Sequence, residues 1–595
     1  FSLFLPANRL SMRIIGFLNN KNQFFNPILL NDEFKCIIKD KEFNLFISSN
    51  DSKEDISYCF RENIHAVLLG CVTNAFDIAD NKLRSIPDVI IANYLSRGTE
   101  CLNTIDGSYT IILWDRNKET LFIRGDMYGT KYLYYYFSPA KELTFSNNLD
   151  ILSQFSLKRD ISIKALHEYL RFLDISPPYT IYEEIYLLEP ENILISNRKE
   201  INLEKISTTS SNKYNGKMCL ADSQTFFKNL LTKSIEQRVK NSKKTGVFLS
   251  GGIDSTLICA LTSKVKGDIK AYTVGFDNPL YNESITAQKI VNFLKIEHQI
   301  LKFSLEDDYK AFSDIVSHFP APIADPAIIP TFQCFKHVSR EVDLVLDGTG
   351  ADSLIGMMPA RHIRFILKYS RNIPLKLRIL FAHIMKINKN LSSYSALFDF
   401  KEPEELLIRW KGWTKEEISM LCNAQCDFSH TRFYKSFKEN SRMHPYDLYR
   451  RLLSAMQDDR IHQSAIQVGL NVAFPFWDHD VREFTESLPI KYKYSNGTSK
   501  VLFRKVIEEI IPPSIWDKPK HGFDYPFEML LRHNEYELIK TYLSEEFLKG
   551  HGFFDISIVK DYLQRFLNGD NAVKFKIWAL VIFQAWYYRH YRGLK

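Results

Sequence analysis

The stretch 245–264 constrains this chain more than any other. A short apolar run, Val247 to Leu249, reads as a buried parallel strand. It breaks at Ser250-Gly251-Gly252, and an amphipathic helix starts near Asp254. Glycine lets backbone close on an anion, and the free N–H groups at a helix start point at it. Ser250, Ser255 and Thr256 add hydroxyl donors, and Asp254 adds a carboxylate suited to Mg²⁺ beside a phosphate. The Lys-bearing loop Gly-x-x-x-x-Gly-Lys-Ser/Thr does not occur. An ordinary Gly-rich corner is the competing reading, and the strand-before, helix-after context argues against it.

Ser250-Gly251-Gly252-Ile253-Asp254-Ser255 resembles the pyrophosphate loop of the ATP-pyrophosphatase family, whose members release AMP and pyrophosphate. At 595 residues the chain exceeds one core, so two or three domains are expected. It has no 18-residue apolar run to span a bilayer. Its 77 basic and 70 acidic residues leave a net +7 with no compact basic stripe, which argues against a nucleic-acid partner. Nine scattered cysteines suit neither a disulfide framework nor zinc and fit a reducing cytoplasm. Residues 1–11 do not read as a secretory signal, and Met12 reads as the natural start.

From Met12 the pattern is short strands: Arg13–Leu18, Ala66–Val72, Tyr109–Trp114, Leu121–Arg124 and Tyr132–Phe137, with one helix, Ser85 to Ser96. That order argues for an α+β layered domain. The polar run Ser207 to Asn212 reads as a linker. Beyond it strands (Val247–Leu249, Ile269–Phe276, Gln299–Phe303, Leu344–Leu346) alternate with helices such as Ser284–Leu294. This rhythm predicts a doubly wound parallel sheet, with ligand sites at the carboxyl ends of its strands. From about residue 360 the chain reads as mostly helical.

Longer motifs make the resemblance specific. Gly125-Asp126-Met127-Tyr128-Gly129-Thr130-Lys131-Tyr132-Leu133-Tyr134-Tyr135 resembles the Arg-Asp-Arg-x-Gly-x-Lys-Pro-Leu-Tyr-Tyr run of class B asparagine synthetases. Cys101-Leu102 through Gly107-Ser108-Tyr109 to Trp114-Asp115 follows the Cys-Leu…Gly-x-Phe-Ala…Trp-Asp run of the same family. The resemblance implies an N-terminal glutaminase-like (Ntn-hydrolase type) domain over residues 1–205. An α/β ATP-pyrophosphatase domain with a helical C-terminal part would occupy 206–595.

Departures from the family carry as much information. Met12 stands where the family has its nucleophilic cysteine, and a thioether has no ionisable proton. The glutamine-holding Asn-Gly-Glu-x-x-Asn is here Leu69-Gly70-Cys71-Val72-Thr73-Asn74, without the carboxylate. A glutaminase fold without glutaminase chemistry is expected.

On the synthetase side, the resemblance assigns ATP contacts to Leu249, Ser250, Gly251, Gly252, Asp254, Ser255, Thr256, Val274, Gly275, Asp347 and Gly348. Glu283, Ala287 and His298 fit a further family pattern, although His298 alone reads as a structural histidine. Asp347-Gly348-Thr349-Gly350-Ala351-Asp352-Ser353 resembles Ser-Gly-Glu/Asp-Gly-x-Asp-Glu, so Asp352 joins Asp254 as a Mg²⁺ ligand. Thr349 replaces the carboxylate that helps ammonia attack, and threonine is a poor base. Lys500, in Asn496 to Arg504, matches the lysine set over the α-phosphate, and Lys520 belongs to a second basic patch near the same site. The family's Glu-Ala-Arg is here Asn471-Val472-Ala473.

Retained ATP machinery beside an altered ammonia side predicts an amide synthetase that adenylates an Asp- or Glu-type carboxylate. The amine would not come from glutamine, as in lasso-peptide cyclases and β-lactam synthetases. A peptide or small-molecule substrate is expected, with a precursor peptide or leader-processing protease as candidate partners. The alternatives are an ammonia-dependent asparagine synthetase and a non-catalytic scaffold.

Overall fold

Runs of Ile, Val, Phe and Tyr broken by short polar turns build the first third of the molecule mainly from strands. In the computed structural model the described residues are 13–18, 34–48, 56–74, 85–154, 159–190, 192–197, 199–206, 214, 218–276, 283–356, 373–387, 398, 407–408, 412–455, 459–517 and 525–591. The strands in order are β1 (Ile14–Leu18), β2 (Phe34–Lys39), β3 (Phe43–Ser48), β4 (Ile56–Arg61), β5 (Ile64–Val72) and β6 (Gly107–Asp115). They continue as β7 (Thr120–Gly125), β8 (Tyr134–Phe137), β9 (Leu143–Ser146), β10 (Ile185–Leu187), β11 (Asn192–Ser196) and β12 (Ile201–Lys205).

They form two sheets, β10-β8-β9-β1-β3-β2 and β12-β11-β7-β6-β5-β4. Alternation along β6 shows how the layers stack. Ile112 and Trp114 join Phe43, Leu45 and Ile14 between the sheets, while Tyr109, Ile111 and Leu113 meet Ile90, Ile91 and Tyr94 of helix α1 (Ile86–Arg97) on the outer face. On the side of the other sheet, Leu166 and Tyr169 of α2 (Ile163–Phe172) share one buried cluster with Tyr134 and Tyr136. Helices thus flank a two-sheet sandwich, as the sequence predicts. The reading from sequence misses β2, β3, β4, β9, β10, β11, β12 and α2, because their alternation is brief and interrupted.

The second sheet system is parallel. Strands β13 (Thr245–Phe248), β14 (Ile269–Val274), β15 (Glu297–Leu301), β16 (Leu344–Leu346) and β17 (Asn471–Ala473) lie in the order β15-β14-β13-β16-β17. Relative to the expected bounds, β14 stops two residues earlier and β15 sits two residues earlier. Three residues are too few for a period to show, so β17 is a strand within a stretch expected to be helical. Helices α3 (Leu220–Val239) and α4 (Ile253–Val265) bury Phe227, Leu231, Leu257 and Leu261 in one core with Val247 and Leu346. The C-terminal helix α5 (Lys574–Tyr591) ties the halves together, because Tyr169 of α2 donates its hydroxyl to the Ala579 carbonyl at 2.8 Å. No described helix is long and apolar enough to cross a membrane. The expected linker at 207–212 lies outside the described residues.

Candidate active site

Strand order reverses between β13 and β16, and an open α/β sheet holds its ligand crevice outside such a reversal. The segment Leu249–Asp254 leaves β13 there, and Asp347–Asp352 leaves β16 beside it. A methyl group on Gly348 would lie 3.1 Å from the Ser255 nitrogen, so any side chain there would crowd the place where the two turns touch.

The first turn holds itself in shape. Ser250 N–H donates to Ser255 Oγ at 3.1 Å, and Gly252 N–H donates to Ser250 Oγ at 3.3 Å. Gly252 caps α4 without a side-chain acceptor, which leaves helix-end N–H groups for an anion. Leu249 contributes backbone only: it is buried, and its carbonyl accepts from Thr273 Oγ1 at 2.6 Å. Thr256 departs from expectation. It is fully buried behind the loop, so Ser250 and Ser255 are the hydroxyls nearest the crevice.

Lys500 is placed by a hairpin that the sequence spells out. Asn496 and Gly497 both have positive φ, the requirement of a two-residue type I′ turn between Tyr494–Ser495 and Thr498–Ser499. Lys500 follows in the left-handed region at φ 60° and ψ 38°, a conformation costly for lysine and concentrated at functional sites. Its ammonium lies 2.6 Å from Asp254 Oδ2 and 2.6 Å from Asp352 Oδ1. Burial pushes its pKa down, but Asp254 and then Asp352 outweigh it and hold the net value well above the usual lysine range. The lysine is therefore a fixed cation. Both carboxylates converge on one positive centre, and Asp254 Oδ1 is buried with no hydrogen-bond partner. That donor set fits a second, oxygen-seeking cation such as Mg²⁺.

In the second turn Asp347 holds Thr349: its Oδ1 accepts from the Thr349 N–H at 2.7 Å and from the Thr349 hydroxyl. Gly350, at φ +98°, meets the indole of Trp477, and a methyl group there would lie 2.3 Å from Nε1. Trp477 stacks on Tyr128 of the first domain at 5.5 Å and on His462 at 5.6 Å. Trp477 is not among the residues expected from the sequence to shape the site.

Val274 ends β14 and Gly275 follows it, its N–H donating to the Leu301 carbonyl at 2.8 Å. His298 bridges Thr273 at 2.9 Å and Gln288 at 3.1 Å, and burial lowers its pKa. It is a structural histidine. Lys520 lies outside the described residues, as does Met12.

These features define an adenylating domain of the ATP-pyrophosphatase kind joined to an amidotransferase-like sandwich. The asparagine synthase profile matches residues 227–588, and the glutamine amidotransferase domain profile matches residues 75–207. The chain is 26% identical over 531 residues to asparagine synthetase (glutamine-hydrolyzing) 1 of Bacillus subtilis (strain 168), covering 84% of this chain and 80% of that protein. It is 24% identical over 532 residues to a putative asparagine synthetase (glutamine-hydrolyzing) of Mycobacterium tuberculosis (strain ATCC 25618 / H37Rv), covering 84% and 79%. Amidase chyE of Penicillium rubens is 20% identical over 548 residues, covering 80% and 78%. This chain belongs to the asparagine synthase family and is an ATP-dependent ligase that forms carbon–nitrogen bonds.

Proposed function

We propose that the enzyme adenylates an Asp- or Glu-type carboxylate and joins it to an amine that glutamine does not supply, in peptide macrolactam or specialised-metabolite synthesis. The observation that carries this reading is the buried ammonium of Lys500 held between Asp254 and Asp352 at the open end of α4. A substrate carboxylate oxygen attacks the α-phosphorus of ATP, the bond to the β-phosphate breaks, and pyrophosphate leaves. The α4 N–H groups, Ser250 and Lys500 stabilise the charge that builds there. Asp254 and Asp352 would hold Mg²⁺, which neutralises charge on the phosphates when bound.

In the second half-reaction the amine attacks the acyl carbon and AMP departs. Thr349 alone cannot take the amine proton. Hydrogen-bonded to Asp347, its hydroxyl can accept that proton while passing its own to the carboxylate. A tethered amine needs less such help because its effective concentration is high. The relatives named as glutamine-hydrolyzing favour the other reading, an asparagine synthetase, and Met12 with Leu69-Gly70-Cys71 argues against their nitrogen source. The match to a relative named amidase supports amide chemistry beyond asparagine.

The test is AMP release from ATP and Mg²⁺, with aspartate plus ammonium, with aspartate plus glutamine, and with carboxylate-bearing peptides. AMP formed only with a peptide, and a product lighter by one water, is the expected result. Asparagine formed with ammonium would replace this reading with the ammonia-dependent synthetase, and absence of ATP binding would leave a scaffold.

A further inference from the structure

The net charge of the chain is not spread evenly. Residues 353–398 contain eight Lys and Arg and no Asp or Glu, so the rest of the chain, against a total of +7, sums to −1. Within this stretch lies a described helix, Leu375–Ile387. Its inward side carries Arg378 and Ala382, which are buried. Leu377, Leu380, Phe381, Ile384 and Ile387 are 46% to 84% exposed. At 100° per residue these five fall within one arc of about 120°, a continuous apolar stripe turned to solvent. Lys376 and His383 lie along one edge of that stripe and are exposed.

A soluble surface helix normally turns its apolar stripe inward. A stripe of Leu, Ile and Phe turned outward, in a stretch where every charged residue is basic, has the chemistry of a helix that lies in a lipid interface. We propose that Leu375–Ile387 seats the enzyme on an anionic bilayer surface, with the stripe among the acyl chains and Lys376 at the headgroups. Nucleic acid fits less well, because phosphate offers the apolar stripe nothing. An acidic protein surface fits less well because interface cores are depleted in lysine. The helix lies on the membrane rather than across it. This inference is independent of which carboxylate the enzyme activates.

The experiment is flotation of the full chain with phosphatidylcholine vesicles, with and without phosphatidylglycerol. Association only with the anionic vesicles, weakened by added salt, is expected. Phe381 also meets the ring of Phe398 at 6.5 Å, so the double substitution Leu380→Glu/Ile384→Glu is the one to make; it should reduce partitioning by roughly tenfold or more while leaving the thermal unfolding transition and ATP binding unchanged. Failure of the wild-type chain to float with anionic vesicles would overturn the proposal, as would flotation unaffected by the double substitution. Binding of polyglutamate in place of vesicles, lost in the same variant, would reassign the surface to an acidic protein partner.

Discussion

The two halves of the molecule kept different things. At the crest of the parallel sheet the charged apparatus is intact and tight, with Lys500 at 2.6 Å from each of two carboxylates. In the sandwich the packing is intact, with Ile14, Phe43, Val67, Ile112 and Trp114 closed to solvent, yet no activated thiol is evident among the described residues. Burial pushes Cys101 up to about 11 against the opposing pull of Arg124 and Arg97, and it also raises Cys36 and Cys59. A core asks only for apolar volume in the right periodicity, whereas a reaction asks for particular groups at particular points. Packing of the sandwich therefore does not by itself say which chemistry the domain carries. The sandwich still has a structural task here, since Tyr128 stacks on Trp477, which covers Gly350 of the active-site turn.

This contrast can be broken most sharply at Lys500. Lys500→Ala should cut pyrophosphate release by about 10³ or more, since it removes a preorganised charge and leaves two carboxylates facing each other. Retained activity would move the chemistry elsewhere. Asp352→Asn comes next, with a loss of roughly 10²-fold and a higher Mg²⁺ requirement, read by titrating the metal in the same assay.

Thr349→Val should slow amide formation by about tenfold or more while the acyl-adenylate half-reaction, followed by pyrophosphate exchange into ATP, stays near the parent rate. Equal loss in both halves would show that Thr349 shapes the loop rather than relays a proton.

A smaller effect concerns stability. Burial pushes the Glu168 carboxyl up to about 7 despite the hydrogen bond donated by Ser176 N–H. The native state therefore holds a proton that the unfolded chain releases, so stability falls as pH rises from the ordinary glutamate value toward 7. Glu168→Gln should remove most of that slope, worth up to about 3 kcal/mol, in denaturant melts compared at pH 4 and pH 8. The smallest effect belongs to Cys71→Ser, which should leave turnover with any amine donor unchanged. Glutamate release from glutamine, lost in that variant, would restore chemistry to the sandwich and end the contrast.

Local signals were legible and long-range ones were not. The strand, the Ser-Gly-Gly turn and the helix after it follow from adjacent residues, because their hydrogen bonds close within a few positions. The Asn-Gly turn before Lys500 carries a signal of the same local kind, although that stretch was expected to be mostly helical. Thr256 misled because a hydroxyl one position past Ser255 points into the core on a helix, a matter of 100° of rotation that motif matching does not resolve. The bond between Asp347 and Thr349 was not read from the motif, because matching residues to a pattern does not say which of them hold one another.

The sequence by itself determined the class of each domain, the anion-binding loop and the identity of the charged groups, since these rest on period, turn chemistry and residue type. Only the tertiary structure decided that Lys500 meets Asp254 across 246 positions of chain, that Trp477 closes over Gly350, and that the stripe of Leu375–Ile387 faces outward. Those contacts depend on the order β15-β14-β13-β16-β17 and on which faces the packed layers leave open. Many sequences with the same local signals could settle that order differently, because it is fixed by the summed burial of the whole core and not by any one segment.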